Sequence, residues 1–152
     1  FVKLVAAGTV EKAAVTTSVV AGTVGIFVGC SYTDPSTSQL TFNQQFPAST
    51  AASDIMAYVV DDPKLVFKMQ GDEAIAQTGL GNNVSAVSTA GSTTIGRSRN
   101  ALGGGSIATT NTLPLRILEF VDGPDSAVGD AFTDCLVTYL PLSHAYETKL
   151  GV

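Results

Sequence analysis

The sequence predicts a mainly β fold: a single-domain β-sandwich or barrel-like fold with about eight strands, one short helix and a long Gly/Ser/Thr-rich loop excursion. Three observations predict it. β-Branched and aromatic residues gather in short apolar runs, Gly-, Pro- and Asp-rich turns separate those runs, and only one stretch has the chemistry of a helix start. The 152 residues are enough for one core, so 1–152 is read as one domain. The chain starts at Phe1 inside a strand-like run, Phe1-Val2-Lys3-Leu4-Val5, so further residues are expected upstream.

The elements follow in order. Val2 to Val5 and Thr9 to Glu11 flank Ala7-Gly8 and predict a tight hairpin. Val19 to Val28 is a β-branched run with glycine breaks, which suggest bulges or close backbone approach. Thr33-Asp34-Pro35-Ser36 predicts a turn, because Asp bonds its own backbone and Pro fixes φ. A strand over Gln39 to Phe46 comes next. Ile55 to Val60 reads as a buried strand, and Asp61-Asp62-Pro63 turns the chain. Beyond the turn, Leu65, Phe67 and Met69 alternate with Lys64, Val66, Lys68 and Gln70, so the reading is a hairpin whose second arm buries the first set.

Asp72-Glu73-Ala74-Ile75-Ala76-Gln77 predicts the short helix, with Asp72 as N-cap and Gly79 or Gly81 as its end. Residues 82–111 hold Ser, Thr, Gly, Asn and Ala with no sustained apolar period and read as the long excursion. Leu115 to Val121 and Phe132 to Leu140 are two strands around the turn Asp122-Gly123-Pro124-Asp125. Leu115, Ile117 and Val121 oppose Leu118 and Phe120, while Cys135, Val137 and Tyr139 oppose Leu136 and Leu140. Both strands therefore read as apolar on two faces, which suits the middle of a sandwich or a subunit interface.

Composition speaks to function. Only 21 residues are charged, and Thr (18), Ser (13), Gly (15) and small aliphatics stand in their place. Soluble monomers normally keep apart by charged surfaces, so this chain reads as a subunit covered by something else. The net charge is −5 and the eight basic residues are scattered, which argues against nucleic acid as partner. Ala13 to Thr33 is free of charge, but its Thr, Ser and Gly content argues against a membrane span. Cys30 and Cys135 lie in apolar runs and read as buried thiols.

The candidate chemistry is weak throughout, and no catalytic, cofactor-binding or metal-ligating residue is assigned. His144 is the only histidine and no G-x-S-x-G elbow accompanies it, so it reads as a packing or surface residue. Asp122, Asp125, Asp130 and Asp134 fail the spacing of a calcium loop and read as turn residues. Asp61 and Asp62 precede Pro63 and read as a turn rather than an acid–base pair. Gly79-Leu80-Gly81 and Gly103-Gly104-Gly105 lack the strand–loop–helix frame of a phosphate loop. The expectation is a protein without enzymatic activity.

Several segments resemble capsid decoration (cement, or head-stabilising) proteins of tailed bacteriophages of the marine type. They are Val24-Gly25-Ile26-Phe27-Val28-Gly29-Cys30 with Ser31-Tyr32-Thr33-Asp34-Pro35, Pro47-Ala48-Ser49, and Ala57-Tyr58-Val59-Val60-Asp61-Asp62-Pro63 running into Val66-Phe67. Leu113-Pro114-Leu115-Arg116-Ile117-Leu118 and Gly123-Pro124-Asp125 complete the set. The resemblance implies a many-copy virion protein on the outer surface of the capsid, bound to the major capsid protein and stabilising its lattice. Copies of itself, as dimer or trimer, are further expected partners. The competing readings are another virion part (head-fibre base, tail or baseplate) and a secreted bacterial surface or adhesin module. Candidates for capsid or self contact are Leu118, Phe120, Leu136, Leu140, Val84 and Val87.

Overall fold

The computed structural model describes residues 1–13, 22–92 and 94–147, and within them ten strands form two antiparallel sheets. The first sheet holds β1 (Val2–Leu4), β2 (Val10–Lys12), β3 (Thr23–Thr33), β4 (Leu40–Asn43) and β5 (Met56–Val60). The second runs β6 (Val66–Gln70), β10 (Asp134–Tyr139), β9 (Leu115–Phe120), β7 (Asn83–Ser92), β8 (Arg97–Ala108) in spatial order. The chain is thus mainly β, in an arrangement consistent with a β-sandwich.

The first sheet is organised by its long strand, β3. Gly8, at φ 74°, closes the β1–β2 hairpin, where the Val5 N–H reaches the Thr9 carbonyl at 3.0 Å. The N-terminal part of β3 pairs with β1, and its C-terminal part pairs with both β4 and β5. The expected strand start at Val19 lies outside the described residues. A side chain at Gly25 would collide with the Val60 carbonyl, so the close approach of β3 and β5 requires glycine there. Val28 is the extra residue of a bulge between Phe27 and Gly29 and points to solvent. The turn after β3 forms as its residues dictate: Asp34 Oδ1 accepts the Ser36 N–H at 2.8 Å.

The expected hairpin across Asp61-Asp62-Pro63 does not form. Both arms are strands, but β5 pairs with β3 and β6 pairs with β10, so the turn carries the chain from one sheet to the other. Asp62 Oδ1 caps the Lys64 N–H at 2.8 Å, which turns the chain without bringing the two arms together. Alternation along β6 holds: Met69 is buried and Leu65 and Phe67 are half-buried, while Lys64, Val66, Lys68 and Gln70 are exposed.

The expected helix over 72–77 is replaced by an extended segment and a 3-10 turn at Gln77–Gly79. The residues that would have started a helix are used elsewhere. The Asp72 N–H donates to the Leu102 carbonyl at 2.9 Å, and Asp72 Oδ1 accepts the Gly104 N–H at 2.9 Å. A Cβ at Gly104 would stand 2.7 Å from Glu73 Cγ, so the triple glycine lets this segment lie directly on β8. Ile75, fully buried, anchors it from the other side. The expected excursion over 82–111 is mostly the β7–β8 hairpin, the longest among the described residues. Its extra residues are concentrated between Gly103 and Ala108, which breaks the period that sequence alone would have revealed.

The core lies on one face of the second sheet. Val84, Ala86, Leu102, Leu115, Ile117, Cys135, Val137, Tyr139 and Met69 form it with Ile75 and Ala13, and Phe1 packs on it. Strands β9 and β10 are buried on this one face only, against expectation. Their outer faces carry Arg116, Leu118, Glu119, Asp134 and Leu136, and Lys68 of β6 pairs with Asp134 at 2.6 Å.

Candidate functional site

Chemistry-bearing residues are tied into the fold. His144 is fully buried, with rings of Tyr139 and Tyr146 at 5.5 and 5.0 Å. The Tyr146 N–H donates to its Nδ1 at 3.3 Å. Nε2, Tyr139 Oη and Ser143 Oγ are buried without a hydrogen-bond partner among the described residues. Among the described residues, no Ser, Cys or carboxylate is hydrogen-bonded to this imidazole. Asp61 accepts the Tyr146 hydroxyl at 2.9 Å and Asp130 accepts the Ala127 N–H at 2.9 Å. No group of three or more His, Cys, Asp or Glu could hold a metal among the described residues. No helix there is long and apolar enough to cross a membrane.

Both cysteines are free and buried. Burial raises the Cys30 thiol, whose Sγ lies 3.6 Å from the Gln45 carbonyl. Burial, aided by the charge of Asp134, pushes Cys135 up to about 11.

The six contact candidates fall in different places. Val84 is fully buried in the core and offers no surface, and Leu140 is buried as well. Val87 and Leu136 are half-buried. Leu118 is exposed for a specific reason: Leu136 faces Glu119 and Val137 faces Ile117, which leaves Leu118 as the extra residue of a bulge. That one residue shifts the alternation behind it, and Phe120 turns from the expected outer face to pack against the core.

A group of exposed large apolar side chains lies elsewhere, on the sheet β4–β3–β5. Its alternation is inverted. Strand β4 points Leu40 and Phe42 into solvent, 64% and 65% exposed, and turns Thr41 and Asn43 inward. Strand β5 exposes Met56 (62%), Tyr58 and Val60 and turns Ala57 and Val59 inward. Register puts Phe42 and Met56 on either side of Ser31, and Tyr58 beside Gly29. The polar tip of this face is satisfied within the chain, as Tyr58 Oη and Ser31 Oγ are 2.9 Å apart. Ile95, at the tip of the β7–β8 hairpin, extends the surface: Phe42 to Gln45 and Thr94 to Gly96 line one shallow cleft. Sequence reasoning missed this face because the run at 55–60 reads as buried. The available signal was the absence of charge from Pro35 to Ser53.

No protein-family model, no curated protein and no solved structure matches this chain.

Proposed function

We propose that this chain is a non-enzymatic virion protein of a tailed bacteriophage, seated on the outer surface of the capsid and bound to the major capsid protein. The observation that carries the reading is the placement of large apolar side chains on open faces of both sheets in a chain with 21 charged residues. Such a surface suits a subunit that works while covered by protein. The segment resemblance supplies the kind of assembly.

The stabilising effect would follow from mass action: a protein that binds the assembled shell and not its free subunits shifts the balance toward the shell. Weak contacts suffice when many copies act on one shell. On the second sheet, Leu118 and Leu136 stand among Arg116, Glu119, Lys68 and Asp134, a mixed surface suited to a partner of different sequence.

The test is quantitative mass spectrometry of purified virions before and after washing in ~1 M salt, where exposed ion pairs are screened. The expected result is a copy number near that of the capsid protein, retained through the wash. A copy number in the tens or fewer would replace this reading with a tail, baseplate or fibre component. Absence from particles and presence on a bacterial surface would favour the adhesin reading.

A further inference from the structure

We infer that the open face of β3, β4 and β5 is a homodimer interface, covered by the same face of a second copy related by a two-fold axis. The inference concerns the free protein and does not rest on the capsid reading.

The inverted alternation is the first observation. A half-buried sheet normally turns its large apolar residues toward the core, and a shift of one residue in either edge strand would do so here. The register instead holds Leu40, Phe42, Met56, Tyr58 and Val60 outward, with Thr41 and Asn43 inward. Two contacts hold that register in β5. Gly25 admits the Val60 carbonyl, and the Tyr58 hydroxyl reaches Ser31.

Charge selects the occupant. The chain carries −5, so two copies repel across most of their surfaces. A two-fold contact sets one surface patch against a second copy of itself, so a patch bearing charge of one sign meets the same sign, and like charges there cost stability. This face is the exception, because β3, β4 and β5 contain no charged residue; of the carboxylates that flank β5, Asp61 accepts the Tyr146 hydroxyl at 2.9 Å and Asp62 caps the Lys64 N–H. Asp54, at the rim, is occupied within its own chain: Thr33 N–H and Oγ1 donate to its carboxylate at 3.1 and 2.6 Å. A partner of opposite charge would gain nothing from such a face, whereas an identical neutral face meets no penalty.

Size agrees. Phe42 and Tyr58, 65% and 44% exposed, alone leave roughly 200 Å² open, taking about 150–250 Å² for a whole aromatic side chain, and Leu40, Met56 and Val60 add to it. A standard interface buries about 800 Å² per partner, so this face supplies an apolar centre, with Thr33, Ile55 and Gln44 available as rim. Two such sheets pack face to face about 10 Å apart and make a sandwich across the two-fold axis.

The two methionines provide a test on the unmodified protein. Met56 lies on the face and Met69 in the core, so peroxide oxidation of Met56 reports the contact while Met69 serves as internal control. In purified protein of these 152 residues, Met56 should oxidise slowly when concentrated and quickly on dilution, with a sedimentation mass of twice 15.6 kDa in the concentrated sample. Phe42→Glu should weaken the dimer at least ~100-fold by burying an unpaired carboxylate from each copy in an apolar contact, while Leu118→Glu on the other sheet leaves it intact. Far-UV circular dichroism confirms that each variant is folded, and the oxidation series stands alone if one is not. Fast Met56 oxidation at every concentration, or a monomeric mass throughout, overturns the inference. Protection of Met56 only on capsid shells also overturns it, assigning the face to the capsid protein. A dimer that never binds shells keeps this inference and removes the capsid reading.

Discussion

Cys30 and Cys135 show how burial sets reactivity at single residues. A thiol attacks as thiolate, and both thiols are held above their ordinary range by desolvation. We expect both to label with a maleimide slowly in the native state at pH 8 and within minutes in denaturant. Fast native labelling of Cys135 would show that β10 opens. Asp54 works in the other direction. The Thr33 hydroxyl, and then its backbone N–H, hold the carboxyl below the ordinary carboxylate range. A group with a depressed folded value stabilises above its unfolded value and loses that contribution as pH falls through the folded one. The protein should therefore lose part of its stability below about pH 4 through Asp54. Asp54→Asn should flatten this portion of the acid limb, measured as Tm against pH, and an unchanged acid limb would contradict the assignment.

At the scale of elements, glycines mark where strands touch. Gly25→Ala forces β3 away from the Val60 carbonyl and should cost about 1–3 kcal/mol, as overpacking does. Gly123→Ala has open space around it and should change stability by less than ~0.5 kcal/mol. Urea midpoints at constant m separate the two. The same close contacts explain what sequence could and could not reveal. Strands β1, β2, β6, β9 and β10 were legible because period two or a turn with known chemistry marked them. The helix at 72–77 was misread because Asp72 and Glu73 serve a tertiary contact with Gly103 to Gly105, thirty residues away in sequence. The β7–β8 hairpin was hidden by its irregular register, and Phe120 by the single extra residue at Leu118. The open face of β4 and β5 was not legible, since an apolar strand run looks the same whichever partner covers it.

At the scale of the whole molecule, aromatic rings connect the two sheets. Phe1, from the start of the first sheet, stands 5.9 Å from Phe67 and 6.0 Å from Tyr139 of the second, and those two are 5.4 Å apart. Burial at this junction also raises the Tyr139 hydroxyl above its ordinary range. Phe67→Ala removes one of the three rings and should cost about 3 kcal/mol, the lower end for a buried Phe because Phe67 is only half-buried. A loss under ~1 kcal/mol, the size of a typical surface change, would mean that this cluster does not hold the sheets together.

The switch of sheets at Asp61-Asp62-Pro63 has a consequence in time. The ladders of β3 with β4 and β5 are complete by residue 60, whereas β6 waits for β10, with Lys68 and Asp134 66 residues apart. Pairing over such separations is slow, on the order of milliseconds to seconds for β-rich domains. Refolding in a stopped-flow instrument should show that slow phase, and a single microsecond phase would contradict it. A growing chain therefore finishes its open apolar face before the strands that close its core have all left the ribosome. With that face inferred to pair two copies, chains translated side by side from one message would meet through it before β10 is made.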